Sequence, residues 1–261
     1  MSESAAELLT ELRKGTLWIT FNRPQARNAL TFGMYKSLAK QCAEVPLDGS
    51  VKAVVITGAG GKAFAAGTDM TQFRSFDTAQ DALDYEQQIA DVLEQVERCP
   101  LPTIAAIHGA CTGGGAVIAA ACDLRIGSEN LRFGFPIART LGNCLAADNL
   151  ARLGDVIGPT RVREIIFTAR LIKSSEALQI NLVSEVLPDE PAMLDRAAAL
   201  AEQVGSMAPL TLRATKEAMR RNRVAEKVDD SDLLLSCYLS EDFRTGMEAF
   251  LAKETPEWKG R

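Results

Sequence analysis

The chain has 261 residues, with 29 lysines and arginines against 34 aspartates and glutamates, a formal charge of −5. Apolar residues make up 47% and charged residues 24%, ordinary globular proportions that exclude collagen-like, disordered and supercharged classes. Such mild acidity argues against nucleic acid as a partner, because neutralising phosphates needs a basic patch. No apolar run approaches the ~20 residues that cross a bilayer; the longest, around Ala116–Cys122, stops at Asp123, so a membrane partner is not expected. The opening segment Met1–Thr10 is acidic and polar rather than basic and then apolar, which argues against a secretory signal. The six cysteines (Cys42, Cys99, Cys111, Cys122, Cys144, Cys237) form no CxxC pair and fit reduced thiols in the cytoplasm. With His108 the single histidine, neither a histidine-rich metal site nor a Ser-His-Asp triad is expected.

In chain order, β-branched runs alternate with helical periods. Leu17–Phe21 reads as a strand, Thr31–Glu44 as a helix with Met34, Leu38 and Val45 on one side, and Ala53–Thr57 as a strand. Thr78–Arg98 reads as a helix capped by Thr78, with Leu83, Ile89, Val92, Leu93 and Val96 apolar. Thr103–Ile107, Leu124–Ile126 and Leu131–Phe133 follow as strands. Beyond about residue 145 helices dominate: Leu145–Ile157, Thr160–Ala169, Ser174–Ile180, Met193–Ser206, Ala208–Arg221, Ala225–Leu239 and Glu241–Ala252, with Val183–Val186 the one late strand. The pattern predicts an α/β core followed by a C-terminal helical extension.

Three glycine-bearing segments bear on chemistry. Gly58–Ala63 matches a loose GxGxxG/A pattern, but a dinucleotide site needs a helix to start there, and Phe64-Ala65-Ala66-Gly67-Thr68-Asp69 follows instead. A plain turn between strands is the expectation, and a dinucleotide-dependent oxidoreductase rests on this match alone. In Phe64–Met70 the small residues allow close approach of a ligand to the backbone, but Thr68 and Asp69 are helix-capping types, and taken alone the segment reads as a loop leading into a helix. His108–Gly115 reads as a strand, a glycine loop and the start of the buried helix Ala116–Cys122. Its free N–H groups suit an enolate or thioester oxygen, and the absence of Gly-Lys-Ser/Thr rules out a P-loop. Tight packing alone would also account for the glycines.

Together these segments resemble the crotonase (enoyl-CoA hydratase/isomerase) superfamily. The resemblance runs from Asn22–Leu30 through Ala53–Gly58, Lys62–Met70 and Pro102–Asp123. It continues through Phe133–Pro136, Leu141-Gly142, Leu182–Val186 and Gly246–Lys253. Each block is weak alone, and the order is specific. The resemblance implies a ββα spiral core over residues 1–200, a helical trimerisation region over 201–261, and a homotrimer or dimer of trimers. It implies an acyl-CoA thioester substrate and no separate cofactor or metal. The family's oxyanion hole maps onto the backbone N–H groups of Thr68 and Gly114, which would stabilise a thioester enolate. Less firmly, the CoA contacts map onto Gln25, Ala26, Arg27, Lys62, Ala63, Ala65, Ala66, Gly67 and Asp69, and onto Phe250 and Lys253, the cations meeting phosphates.

The chain departs from the hydratases at both glutamate positions. Val117 stands at the first, and Ile137 or Ala138 at the second; the isomerase glutamate position holds Ala146. None of these side chains moves a proton, so weak hydration of simple 2-enoyl-CoA is expected. The nearest carboxylate in sequence, Asp148, is the remaining acid–base candidate, with helix capping as its plain alternative. Arg139 could orient a carboxylate on the acyl group or make a surface ion pair. Cys111 and Cys144 read as buried fillers rather than nucleophiles, His108 as a packed, hydrogen-bonded histidine, and Asp123 as structural. Isomerisation, decarboxylation and thioester cleavage on this fold remain open, as does a non-catalytic acyl-CoA-binding role.

Overall fold

A computed structural model describes residues 6–225 and 229–260. Four ββα units open the chain. β1 (Leu8–Arg13), β2 (Thr16–Phe21) and α1 (Phe32–Ala43) form the first, and β3 (Ala53–Gly58), β4 (Ala63–Ala65) and α2 (Ala79–Arg98) the second. β5 (Thr103–Ile107), β6 (Ala110–Thr112) and α3 (Gly114–Ala121) make the third, and β7 (Leu124–Ser128), β8 (Arg132–Gly134) and α4 (Ile137–Thr140) the fourth. There follow α5 (Ala147–Ile157), α6 (Pro159–Phe167), β9 (Ile172–Lys173), α7 (Ser174–Gln179), β10 (Val186–Leu187) and α8 (Glu190–Gly205). The chain closes with α9 (Pro209–Val224), α10 (Ser231–Tyr238) and α11 (Glu241–Ala252). This is the expected spiral core with C-terminal helices.

From the second unit on, the two strands of a unit enter different sheets. The larger sheet has the order β1-β2-β3-β5-β7-β10, parallel except for β1; the smaller has the order β4-β6-β8-β9, parallel except for β9. All six residues of β3 are buried, because both faces of the larger sheet are covered. Val54 and Ile56 face the main core with α1, α2 and α3, while Ala53 and Val55 alternate onto the other face against Met193, Ala197, Leu200 and Ala201 of α8. A domain boundary after residue 200 would cut α8 between Leu200 and Ala201, which pack on the same sheet face.

Local chemistry sets the element ends. Thr78 and Asp81 form a reciprocal capping box, the Thr78 hydroxyl accepting from Asp81 N and the Asp81 carboxylate from Thr78 N. The helix expected over Ala225–Leu239 is observed as Ser231–Tyr238, its expected start running into residues 226–228, outside the described residues. Of Val183–Val186 only Val186 is in a strand. Gly58–Ala63 turns from β3 into β4 and starts no helix, which removes the dinucleotide reading.

Candidate active site

β4 and β6 are parallel neighbours, with Ala63 opposite Ala110 and Ala65 opposite Cys111, so the chain leaves both at the same end of the smaller sheet. This register brings the turns Ala66-Gly67-Thr68 and Gly113-Gly114 together. Leu30 clamps the first turn: its N–H donates to Gly67 O at 2.8 Å and its carbonyl accepts from Asp69 N at 2.9 Å. In a parallel bridge the residue between those two bonds turns its own N–H away from the partner, and that residue is Thr68. Gly114 opens α3, where the first N–H groups have no intrahelical acceptor. Neither the Thr68 nor the Gly114 N–H has a hydrogen-bond acceptor among the described residues.

Both residues line one cavity of about 110 Å³. Its walls are largely apolar, and they include Met70, Phe73, Ile89, Val117, Ile137 and Leu145. Gly114 must be glycine: a Cβ there would sit 1.8 Å from the Tyr35 hydroxyl and 3.2 Å from Thr68 Oγ1. Gly115 lets α3 press on β4, since its Cβ would meet Ala65 O at 2.4 Å. The Thr68 hydroxyl links to Tyr35 Oη at 2.9 Å and to Tyr85 Oη at 3.0 Å, a part-buried chain of three hydroxyls. Burial pushes both phenols up, so they stay protonated.

The other residues expected from the sequence are distributed around this cavity unevenly. Ala66, Gly67 and Phe250 line it, and Phe250 is half exposed. Ala63 and Ala65 are buried in β4 behind it, while Lys62 is exposed before β4. Gln25 and Ala26 lie in a short 3₁₀ turn, and the Arg27 carbonyl accepts from Ala66 N at 3.1 Å, which brings that segment beside the turn. Asp69 caps the following turn, accepting from Thr71 N and pairing with Arg23 at 2.9 Å. Lys253 sits exposed at the end of α11 and is not a lining residue. Arg139 is exposed and away from the lining, and of the two aligned positions Ile137, not Ala138, faces the cavity.

Asp148 is not brought to the cavity. Its carboxylate pairs with Arg152 at 2.9 Å and with Arg223, and Glu97 joins the same two guanidiniums, tying α5, α9 and α2. Burial pushes the Asp148 carboxyl up, but the two arginines outweigh it and hold it below the ordinary carboxylate range. A carboxylate that lies outside the lining and is held ionised by two arginines is a poor base for a substrate in the cavity. His108 is fully buried as expected, yet both ring nitrogens lack a hydrogen bond; the nearest anion, Glu190, is 3.8 Å away. Cys111 is buried outside the lining. Cys144 lines the cavity, but burial first and Cys237 next push its thiol up to about 12, so it stays protonated. Asp123 is structural, accepting from Thr103 N and Oγ1 and pairing with Lys216 at 2.5 Å.

One group at the cavity went unseen in the sequence. Glu86 of α2 is the one carboxylate among the described lining residues, 9% exposed, with Oε1 accepting from the Tyr238 hydroxyl at 2.5 Å. Burial raises it to about 7 against the opposing pull of the Tyr238 hydrogen bond, and Asp230 adds to the rise. A signal existed: Glu86 stands on the buried stripe Ala82, Ile89, Leu93 and Val96 of α2, where a helical period calls for an apolar residue.

The sequence of residues 11–261 matches the family model described as enoyl-CoA hydratase/isomerase. The chain is 34% identical over 245 residues to the short-chain-enoyl-CoA hydratase of Clostridium acetobutylicum, covering 92% of each chain. It is 37% identical over 238 residues to the human mitochondrial Delta(3,5)-Delta(2,4)-dienoyl-CoA isomerase, covering 85% of this chain and 71% of that one. A crystal structure of an enoyl-CoA hydratase/carnithine racemase from Magnetospirillum magneticum superposes with a TM-score of 0.79 at 33% identity, covering 99% of this chain and 97% of that one. With its spiral core, its paired turns and these matches, the chain belongs to the enoyl-CoA hydratase/isomerase family of the crotonase superfamily.

Proposed function

We propose that this acyl-CoA enzyme of the hydratase/isomerase type holds the thioester oxygen between the N–H groups of Thr68 and Gly114 and works through a thioester enolate. The observation that carries the reading is that both N–H groups have no acceptor among the described residues and both residues line one mostly apolar cavity. Donors fixed in advance where negative charge develops act strongly in a water-poor site, and loss of one costs about 3 kcal/mol of barrier. The pantetheine arm would run past Lys62, Ala63, Ala65, Ala66 and Gly67, beside Asp69, with Gln25, Ala26 and Arg27 on the nucleotide side. Phe250 and Lys253 would flank the mouth. A cytoplasmic site of action agrees with six free thiols.

Simple hydration is the weak reaction in this reading, because Val117 and Ile137 present hydrocarbon to the cavity at the two positions that align with the hydratase glutamates. Crotonyl-CoA followed in the ultraviolet tests this: turnover should fall well below the ~10 s⁻¹ enzyme median, and a rate near that value would refute it. Acyl-CoA thioesters followed by mass spectrometry test the enolate itself. Deuterium should enter the carbon beside the thioester from D₂O. Tight binding with every thioester unexchanged and unchanged would instead support a non-catalytic acyl-CoA carrier.

A further inference from the structure

We infer that Glu86 is the group that removes and returns the substrate proton at this site, with the Tyr238 hydroxyl as its positioning partner. The inference rests on the enolate reading above and adds to it the proton carrier that its aligned positions do not supply. The first argument is exclusion among the groups that share the cavity. The Thr140 hydroxyl donates to Pro136 O at 2.9 Å, Asn149 Oδ1 accepts from Arg152 at 2.6 Å, and the phenols and the Cys144 thiol are held protonated. Glu86 is the remaining group that can exist as a base near neutral pH.

The second argument is geometry. Tyr238 donates to Oε1, while Oε2 has no hydrogen-bond partner among the described residues and is not fully buried, on a residue that lines the cavity. Asn143 Nδ2 backs the Tyr238 hydroxyl at 3.5 Å, and Asn143 Oδ1, buried at the same wall, has no partner. Glu86 and the two free N–H groups therefore border one small apolar space. The charged and titratable groups around Glu86 are Tyr238 and Asp230 from the α10 side, Tyr85 on its own helix, Tyr35 of α1, and Cys144. With no cation among them and burial dominant, the carboxyl sits near neutrality, where both protonation states are populated.

The step balances without any co-reactant. Glu86 Oε2 takes a proton from the carbon beside the thioester, and the C–H electron pair becomes a C=C bond to the carbonyl carbon. The carbonyl π pair moves onto the oxygen facing the Thr68 and Gly114 N–H groups. Returned to the same carbon, the proton gives exchange; returned two carbons further along an unsaturated chain, it moves the double bond. Nothing is oxidised or reduced.

The test compares wild type, Glu86→Gln and Tyr238→Phe in D₂O with hexanoyl-CoA and 3-hexenoyl-CoA, reading exchange and double-bond movement by mass spectrometry and NMR, and affinity by calorimetry. Glu86→Gln keeps the shape and still accepts from Tyr238, and its fold is checked by circular dichroism. It should slow proton exchange by about 10²–10⁴-fold with affinity within about threefold of wild type. The wild-type rate should fall as pH drops below about 7, where Glu86 gains its proton. That limb should vanish in Glu86→Gln, and in Tyr238→Phe it should move to higher pH because the carboxylate loses a donor. Exchange by Glu86→Gln within about threefold of wild type overturns the assignment. So does equal loss of affinity and rate, which would make Glu86 a recognition group. If wild type itself neither binds nor exchanges any thioester, the enolate reading fails and this inference falls with it.

Discussion

At Gly114 the main chain comes so close to Tyr35 that one methyl group separates a working turn from a blocked one. An added Cβ meets the Tyr35 hydroxyl at 1.8 Å but Cζ at 3.1 Å. Gly114→Ala should therefore cost about 1–3 kcal/mol of stability through overpacking. Adding Tyr35→Phe should recover much of that loss while leaving activity low, because the methyl still crowds the Gly114 N–H. Thermal melts of the single and double variants check this; equal melting temperatures for the two would count against it. At this scale the sequence was legible where the signal is local. The two turns could be located because small residues cluster at each, and the family resemblance then pointed to Thr68 and Gly114 within them. Glu86 could not, because its partner Tyr238 lies 152 positions away and only the fold brings them together. Asp148 misled for the converse reason: adjacency in sequence to the Leu141-Gly142 block says nothing of Arg223, which comes from α9 to claim it.

Between elements, the strongest tie is the ion cluster of Glu97, Asp148, Arg152 and Arg223. Arg152 and Arg223 have side chains 3% and 8% exposed, so removing one carboxylate strands buried positive charge. Asp148→Asn should lower stability by about 1–3 kcal/mol and leave turnover per folded molecule unchanged, as read by denaturant melts beside a thioester assay. The pH sign follows from the lowered carboxyl. Its stabilisation is present above the unfolded value of 3.8 and is lost as pH falls through the still lower folded value, so acid should narrow the gap between variant and wild type. The long elements were legible, with α2 and α11 found to within a residue at their ends, because the helical period, and for α2 the Thr78 cap, act within one turn. β1 escaped because five of its six residues are exposed and it carries no buried alternation. β4, β6 and β9 are two or three residues long, too short for any period to register.

For the whole molecule, the strand-helix alternation followed by helices gave the α/β class, while the ββα spiral came from the family resemblance, because the short second strands leave no period in the sequence. How the subunits assemble is a matter of surfaces, and the surface carries a clue. Leu210 and Met219 of α9 and Leu233 of α10 are large apolar side chains 73%, 69% and 61% exposed on the C-terminal helices. We propose that these helices, within residues 201–261, build the homotrimer or dimer of trimers. Light scattering on eluting protein should give three or six times 28.2 kDa, and a mass of one chain would refute the proposal. The hydroxyl chain of Tyr35, Thr68 and Tyr85 has an arithmetic consequence for any guest. Three hydroxyls in series own three hydrogens, yet their two mutual contacts use only two. One hydrogen is left over, on Thr68 if both phenols donate to it and on a phenol otherwise, and all three side chains border the empty space, so an incoming oxygen meets a spare donor before any side chain has moved.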